Sequence, residues 1–265
     1  MTQTWSRPDL TWTASNRASA TLEGAWWSWA GPHGGLVASL ALAAAEQTCP
    51  GQQVRELSAQ FLAAPAEGPV ELEVRPLRLG RSSTCLAVTL GSGDEVALAA
   101  TVLLGRSRPG MAMQAVPAPA VPGVERCPEV DLPVALAAFL QNLDYRPATD
   151  TPLLGGHPSA EFIGWLRLRD HSPLDAQVLT VLLDALAPGL YATLTAPVPI
   201  PTVALSVQYA KPAPVRHSGW VLGRVTTRSA ADGWCVDDSD LWGADGRLLA
   251  SARQTRRVLD PAAGR

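Results

Sequence analysis

Cysteine and histidine are scarce in this sequence and are scattered along it. The chain has 4 cysteines and 4 histidines among its 265 residues, and none of them forms a CxxC, HxH or HxxxH pair. Sequences that bind zinc or iron usually bring their ligands close together, so this pattern argues against a metal site. Widely separated cysteines, together with the lack of a recognisable signal peptide, favour a reducing, cytoplasmic setting.

Long apolar runs and blocks of like charge are also missing. The stretch "LVASLALAAA" is well short of the roughly 18–20 residues that span a bilayer, so we expect no membrane partner. The formal net charge is −3 and no long basic block occurs, which argues against nucleic-acid binding. No GxSxG, GxGxxG or P-loop motif is present, which argues against an α/β-hydrolase and against a bound cofactor.

Two apolar segments predict helices. Hydrophobic residues make up 47% of the chain, enough for a substantial core. Residues 34–47 are apolar almost all round, which predicts a buried helix. Residues 172–188 predict a second helix, with Ser172 as its N-cap, Pro173 at the first helical position and Pro188-Gly189 as its stop.

The sequence also repeats itself. The motif "LSAQF", which begins at Leu57, recurs as "LSVQY", which begins at Leu205. Each copy follows a predicted helix and opens a series of four strand-like stretches. A short turn, "GSGD" or "GADG", precedes the last of them. The same elements in the same order indicate an internal duplication. Because short turns join the strands, we expect an antiparallel sheet.

The duplication predicts two units of α+β class. We place the N-terminal unit at residues 1–105 and the C-terminal unit at residues 134–265. Residues 106–133 are rich in proline and lack periodicity, which is typical of an extended linker. Each predicted helix also has strand-like residues ahead of it. The simplest way to bury one apolar helix in each unit is against one antiparallel sheet.

Short motifs in this order resemble the acyl-CoA thioesterase II family. They are the aromatic stretch Trp26-Trp27-x-Trp29, the helix opening His33-Gly34-Gly35, the "FLAAP" segment after the first helix, and Asp184, Thr202 and Gln254 in the second half. The resemblance covers essentially the whole chain. It implies a tandem, or double, hotdog fold, in which each antiparallel sheet wraps around one long central helix. It also implies hydrolysis of acyl-CoA thioesters to free acid and CoA.

Three polar residues are the catalytic candidates that the resemblance implies. Asp184 lies among apolar residues near the end of its helix, where the helix dipole disfavours a carboxylate. Thr202 follows a proline-rich entry to a strand, and Gln254 shares a strand face with small apolar residues. Structural alternatives remain open: Asp184 bonds a loop N–H or faces solvent, Thr202 is an ordinary strand residue, and Gln254 bonds backbone.

The first copy is apolar where the second copy carries these three residues. When the two halves are superposed, Thr202 falls on Val54 and Gln254 falls on Leu103. Asp184 falls near Ala44 or Ala45. A single composite site in the chain explains this asymmetry, and drift after duplication is the alternative.

The mechanism that follows uses water as the nucleophile. Asp184 acts as general base, and Thr202 and Gln254 help it to hold the water. The resemblance implies that one unit supplies the carboxylate and the other supplies a helix N-terminus, where His33, Gly34 and Gly35 bind the substrate and its oxyanion. Tight packing between helix and strand is the alternative reason for the two glycines.

Acyl-CoA is therefore the expected partner, and a homo-oligomer is implied because hotdog sheets often join one another. Five basic residues are candidates for contacts to the CoA phosphates: Lys211, Arg216, Arg253, Arg256 and Arg257. The alternative is that they are solvated surface side chains without a role in binding. Two other functions stay open, namely a non-catalytic protein that binds acyl-CoA or lipid and a structural double domain.

Overall fold

The chain folds as an α+β protein with antiparallel strands, as the sequence predicts, but the strands of both halves join in one large sheet. The computed structural model describes residues 9–29, 31–135, 137–210 and 219–259. Within these ranges there are two α-helices, α1 (Gly34–Thr48) and α2 (Ala176–Ala185). Neither helix is long and apolar enough to cross a membrane.

The strands fall into two series. The first comprises β1 (Thr11–Ala14), β2 (Arg17–Leu22), β3 (Trp27–Ser28), β4 (Gly31–Pro32), β5 (Gln53–Phe61), β6 (Gly68–Arg78), β7 (Ser83–Ser92) and β8 (Glu95–Gly105). The second comprises β9 (Leu143–Pro147), β10 (Glu161–Leu168), β11 (Thr202–Tyr209), β12 (Val221–Ala231), β13 (Trp234–Gly243) and β14 (Leu248–Arg257). Strands β3 and β4 form a small hairpin apart from the main sheet.

The order of the main sheet is symmetric about its centre. It runs β1-β2-β6-β7-β8-β5-β11-β14-β13-β12-β10-β9, with every pairing antiparallel. The two copies of the repeated motif lie side by side at the central junction of β5 and β11, where Ser58 pairs with Ser206. On either side of the serines Leu57 pairs with Val207 and Ala59 pairs with Leu205, which is the pairing expected about a two-fold axis between the two serines.

The two helices contact each other and pack against the same face of the sheet. The burial predicted for the first helix is confirmed, because residues such as Ala38, Leu42 and Ala44 are completely buried. The alternating apolar residues of the strands, among them Leu57 and Val207, complete this core. The N-terminus of α1 and the C-terminus of α2 meet on this face of the sheet, where Gly35 contacts Asp184.

The second helix begins later than the sequence predicts. Its N-cap is Asp175, whose side chain accepts a hydrogen bond from Val178 N–H at 3.0 Å. The prediction that Ser172 caps it is wrong. Ser172 instead donates its N–H and hydroxyl to the carboxylate of Asp170, so its side chain is already used by the preceding turn. The helix has 10 residues and ends at Ala185.

Residues 106–133 contain one short 3-10 turn and no strand, but they are packed against the sheet. The indole N–H of Trp165 donates to Pro122 O at 2.9 Å, and that of Trp242 donates to Val116 O at 3.2 Å. Cys127 joins these tryptophans in a second apolar cluster on the face of the sheet opposite the helices. This segment therefore covers part of the sheet as well as joining the two halves.

Candidate active site

The six residues singled out in the sequence come together where the N-terminus of α1 meets the C-terminus of α2. His33 is the N-cap of α1, and Gly34 and Gly35 form its first turn. Asp184 lies in the last turn of α2, and its Oδ2 accepts a hydrogen bond from Gly35 N–H at 2.7 Å. Thr202 and Gln254 reach the same place from β11 and β14.

The position of Asp184 is explained by the other helix. A carboxylate at the C-terminal end of its own helix is disfavoured by that helix dipole. Its oxygens instead lie at the N-terminus of α1, where free N–H groups and the positive end of the α1 dipole stabilise negative charge. Only 7% of the Asp184 side chain is exposed. The alternatives of a loop N–H partner and of a solvent-facing side chain are therefore wrong.

Thr202 faces the site because of a β-bulge. Strict alternation along β11 places Leu205 and Val207 towards the core and would turn Thr202 away from it. The register with β14 shifts between Thr202 and Ala204, so one extra residue is inserted and Thr202 lies opposite Arg256. The same shift occurs in β5 between Val54 and Glu56, which confirms the predicted match of Thr202 with Val54.

Gln254 connects the two other polar residues and is completely buried. Its Nε2 donates to Asp184 Oδ1 at 2.5 Å and to Thr202 Oγ1 at 3.3 Å. Its Oε1 accepts from Arg256 at 2.6 Å. The amide therefore bonds side chains, not the backbone partner that was the structural alternative. Asp184, Gln254 and Thr202 form one continuous chain of hydrogen bonds.

The two glycines allow a close approach of α1 to α2. A Cβ atom on Gly35 would lie 2.9 Å from each of three atoms: Asp184 Cβ, His33 Cε1 and Thr180 O. A Cβ atom on Gly34 would lie 3.0 Å from Asp184 Oδ2. Packing thus requires glycine here. In this structure Gly35 N–H is bonded to the carboxylate, in place of the free oxyanion donor that we expected.

The imidazole ring of His33 faces the carboxylate of Asp184 without a hydrogen bond to it. Its Nδ1 accepts from Leu36 N–H at 3.2 Å, so the ring proton lies on Nε2. That Nε2 is 3.6 Å from Asp184 Oδ2 and has no hydrogen-bond partner among the described residues. Burial lowers the pKa of His33 below its usual value of 6.5, although the nearby Asp184 carboxylate opposes this shift. The ring also packs on Phe139, with centroids 4.4 Å apart.

A second polar layer, which the sequence did not reveal, lies behind Gln254 and Thr202. Arg256 is 5% exposed, and its NH1 donates to Thr202 Oγ1 at 2.8 Å. Its Nε is 2.8 Å from Oδ2 of Asp237, which is completely buried. Both expectations for Arg256, a phosphate contact or a solvated side chain, are wrong. Strand alternation could have predicted this burial. Arg256 lies on the same strand face as Gln254, and Asp237 lies on the same strand face as Cys235.

The other candidates for phosphate contacts lie away from this layer. Arg253 is exposed and pairs with Asp238 on the face of the sheet opposite the helices. Arg257 is also exposed, and its guanidinium lies 5.8 Å from the ring centroid of Trp234. Lys211 and Arg216 lie outside the described residues.

The equivalent location in the first half is apolar, as the sequence predicts. The structure corrects two of the residue matches between the halves. Leu57 pairs with Val102, and the matching Leu205 pairs with Gln254, so Gln254 corresponds to Val102 and the predicted match with Leu103 is wrong. The cause is a longer second turn: Ser92 pairs with Glu95 across two residues, whereas Gly243 bonds Arg247 across three.

The helix match also changes. Superposing the N-caps His33 and Asp175 places Asp184 over Leu42, so the predicted match with Ala44 or Ala45 is wrong. The reason is the later start of α2, which shifts its register along α1. Leu42 is completely buried, so the first half lacks a carboxylate at this point as well.

Solved structures resemble this chain over nearly its whole length. A conserved protein of unknown function with a hot dog fold from Alicyclobacillus acidocaldarius has a TM-score of 0.88 at 25% identity, with 96% of each chain covered. A candidate thioesterase II from Thermobifida fusca YX has a TM-score of 0.84 at 26% identity, again with 96% of each chain covered. The acyl-CoA thioesterase II TesB2 from Mycobacterium marinum shares the fold, with a TM-score of 0.77 at 21% identity over 96% of this chain and 97% of that one.

Family models divide the sequence between two domains. A model of the acyl-CoA thioesterase N-terminal domain matches residues 24–105, and a model of the acyl-CoA thioesterase C-terminal domain matches residues 117–258. No curated protein matches the sequence. Since the two models together account for most of the chain in their natural order, the chain belongs to the acyl-CoA thioesterase family of enzymes.

Proposed function

We propose that this enzyme hydrolyses acyl-CoA thioesters to a free acid and CoA, with Asp184 as general base. The observation that carries the proposal is the hydrogen-bonded chain of Asp184, Gln254 and Thr202 at the N-terminus of α1. Each carboxylate oxygen of Asp184 accepts one hydrogen bond from the protein and keeps lone-pair capacity for a water. A carboxylate held in one orientation is suited to removing a proton from that water.

The reaction then follows from the donors and acceptors present. The water donates one hydrogen to Asp184 and accepts the hydroxyl hydrogen of Thr202. Its oxygen attacks the thioester carbonyl carbon while Asp184 takes its proton, giving a tetrahedral oxyanion. Collapse of this intermediate breaks the carbon–sulfur bond, and Asp184 returns the proton to the departing sulfur. The products are a carboxylic acid and the CoA thiol.

The oxyanion requires donors other than Gly35 N–H, which Asp184 occupies. His33 Nε2–H and Gly34 N–H lie at the same helix end. In this proposal these two groups donate hydrogen bonds to the oxyanion. The positive end of the α1 dipole adds to their effect. A histidine kept neutral by burial suits this role, because it donates a hydrogen bond without adding a charge that would compete for Asp184.

The proposed architecture is a tandem hotdog, with units at residues 1–105 and 134–265 joined by residues 106–133. The symmetric strand order supports it. The site then takes its carboxylate from the second unit and its helix N-terminus from the first. Assembly into a homo-oligomer stays a prediction, which light scattering on the purified chain tests. A cytoplasmic setting also stays a prediction.

The decisive experiment is thiol release from a panel of acyl-CoAs of different chain lengths. We expect turnover by the wild type and a loss of about 10²- to 10⁴-fold in kcat for Asp184→Asn, which keeps the shape of the side chain but removes the base. Asp238→Asn, on the opposite face of the sheet, is the matched control and retains wild-type turnover. Saturable acyl-CoA binding without release would instead support a binding protein, and neither release nor binding would support a structural role.

A further inference from the structure

We propose that Arg256 is a positioning residue of this site, which it serves through Gln254 and Thr202 without touching the substrate. The inference rests on the proposed function. The guanidinium donates hydrogen bonds from NH1 to Thr202 Oγ1 and from NH2 to Gln254 Oε1. Its Nε lies 2.8 Å from Asp237 Oδ2 in an ion pair that is not aligned as a hydrogen bond. The residue is 5% exposed, so these contacts face no competition from bulk water.

The first consequence is a fixed orientation of the Gln254 amide. The guanidinium has only N–H groups to offer, so the side-chain oxygen of Gln254 must face it. The Nε2 group is thereby turned to the other side, where its two hydrogens reach Asp184 and Thr202. Without Arg256 the amide is free to flip, and a flipped amide places an oxygen lone pair against the carboxylate of Asp184.

The second consequence concerns the direction of the Thr202 hydroxyl hydrogen. Thr202 Oγ1 accepts one hydrogen bond from Arg256 and a second from Gln254, which uses both of its lone pairs. Its own hydrogen then points away from both donors. Arg256 therefore makes Thr202 a donor, and this is the polarity that the proposed nucleophilic water requires beside a carboxylate acceptor.

The ion pair between Arg256 and Asp237 is not needed to build this part of the sheet. In the first half the matching positions are Leu104 and Leu86, which follow from the pairing of Val102 with Leu86 and of Gln254 with Asp237. Both leucines are completely buried. Removing charges from water is costly, and the chain bears this cost only in the half that carries the polar site.

The test uses the apolar pair of the first half as its template. The double variant Arg256→Leu/Asp237→Leu removes both charges together, so no unpaired charge is left in the core. Arg256→Lys keeps the charge but lacks the planar fork that reaches Gln254 and Thr202 together. Arg253→Leu is the matched control, since Arg253 forms an ion pair with Asp238 on the opposite, exposed face of the same two strands.

We expect the double variant and Arg256→Lys to lose roughly 10- to 100-fold in kcat, because a small misplacement of catalytic groups has effects of that size. The KM for acyl-CoA should stay within about threefold of the wild-type value, since Arg256 does not touch substrate. Arg253→Leu should retain wild-type kcat. An unchanged kcat in the folded double variant, or a loss expressed only in KM, would overturn the proposal.

A crystal structure of the double variant gives a second measurement that does not depend on turnover. We expect the Gln254 amide to leave its contact with Asp184 or to occupy two orientations. A Gln254 and Thr202 that keep their wild-type positions would overturn the positioning role. Absence of thiol release by the wild-type chain would instead refute the proposed function, and the positioning role would then be judged from the crystal structure.

Discussion

At the scale of single residues, Gly35 shows how closely packing and chemistry are linked in this site. Adding a methyl group places a Cβ atom 2.9 Å from Asp184 Cβ and from Thr180 O, so the carboxylate must move. We expect Gly35→Ala to destabilise the chain by about 1–3 kcal/mol through overpacking and to lower kcat by about 10- to 100-fold. Chemical unfolding and thiol-release assays measure the two effects.

The control for this prediction is Gly123→Ala in the segment between the two halves. Gly123 has an extended backbone with φ −62°, and a Cβ atom there meets nothing within 4 Å. It should therefore leave both stability and turnover close to wild type. A Gly35→Ala variant that behaves like this control would show that α1 and α2 are not in the close contact described.

His33 links the stability of the fold to pH. Its pKa in the folded chain is lowered by burial, so below pH 6.5 the unfolded chain takes up a proton more readily than the folded chain. The stabilising contribution is thus complete above pH 6.5 and is lost as the pH falls from 6.5 through the lower folded pKa. Unfolding free energies measured between pH 7.5 and about 5 should decline more steeply for the wild type than for His33→Asn.

Asparagine is the chosen replacement because it remains a good N-cap for α1. The control is His171→Asn, since His171 is exposed and has φ 59°, a conformation that asparagine tolerates. This control should keep the wild-type pH dependence. Equal slopes for wild type and His33→Asn would contradict the assignment of His33 as a buried neutral group.

The family resemblance singled out Asp184 and Gln254, and their apolar neighbours at helical and strand spacing mark both as polar groups on apolar faces. It could not predict how Thr202 faces the site, because the bulge that turns it inward is an irregularity of pairing and leaves no pattern in one strand. Arg256 was missed for a different reason. Long basic side chains are usually exposed, and that expectation outweighed an alternation that placed Arg256 beside Gln254.

At the scale of elements, the start of α2 is set by Asp175. Removing an N-cap side chain typically costs about 0.5–2 kcal/mol. We expect Asp175→Ala to lower the free energy of unfolding by about 1 kcal/mol, because it leaves Val178 N–H without its partner. Ser172→Ala should have a smaller effect, since Ser172 lies outside the helix. A larger loss of unfolding free energy for Ser172→Ala than for Asp175→Ala would contradict this and support the predicted helix that begins at Ser172.

The positions of the strands along the chain and their antiparallel pairing were predictable, whereas the register of β14 was not. Turns, alternation and the repeated motif locate each strand and imply antiparallel pairing. One extra residue in the turn before β14 shifts its partners by one position, so Gln254 matches Val102 and not Leu103. In strands a one-residue slip exchanges inward and outward faces. Sequence superposition therefore matched a buried glutamine with Leu103, which is an exposed residue.

At the scale of the whole molecule, two similar halves carry one polar site between them. The location related to it by the symmetry of the sheet has Leu42 in place of Asp184, together with Val54 and Val102. Superposing the helix caps also places Gln177 over Gly35. Gln177 extends a bulky side chain where the first half has none, and its Nε2 bonds Glu46 Oε2 at 2.8 Å. This second location therefore has an apolar residue where Asp184 stands, and the Gln177 side chain occupies the helix end where Gly35 leaves space.

We therefore expect each chain to bind one acyl-CoA. Isothermal titration with a thioether analogue, which cannot be hydrolysed, should give a stoichiometry of about one per chain for the wild type and for Asp184→Asn. Gly35→Leu should abolish this binding, since its side chain projects into the space beside Asp184 and His33. Circular dichroism would establish that this variant is folded. Saturable binding that persists at one per chain in folded Gly35→Leu would show that acyl-CoA does not lie in the site beside Asp184. A wild-type stoichiometry of two would show that the related location also binds acyl-CoA. Either result would mean that the asymmetry between the halves does not determine where the substrate lies.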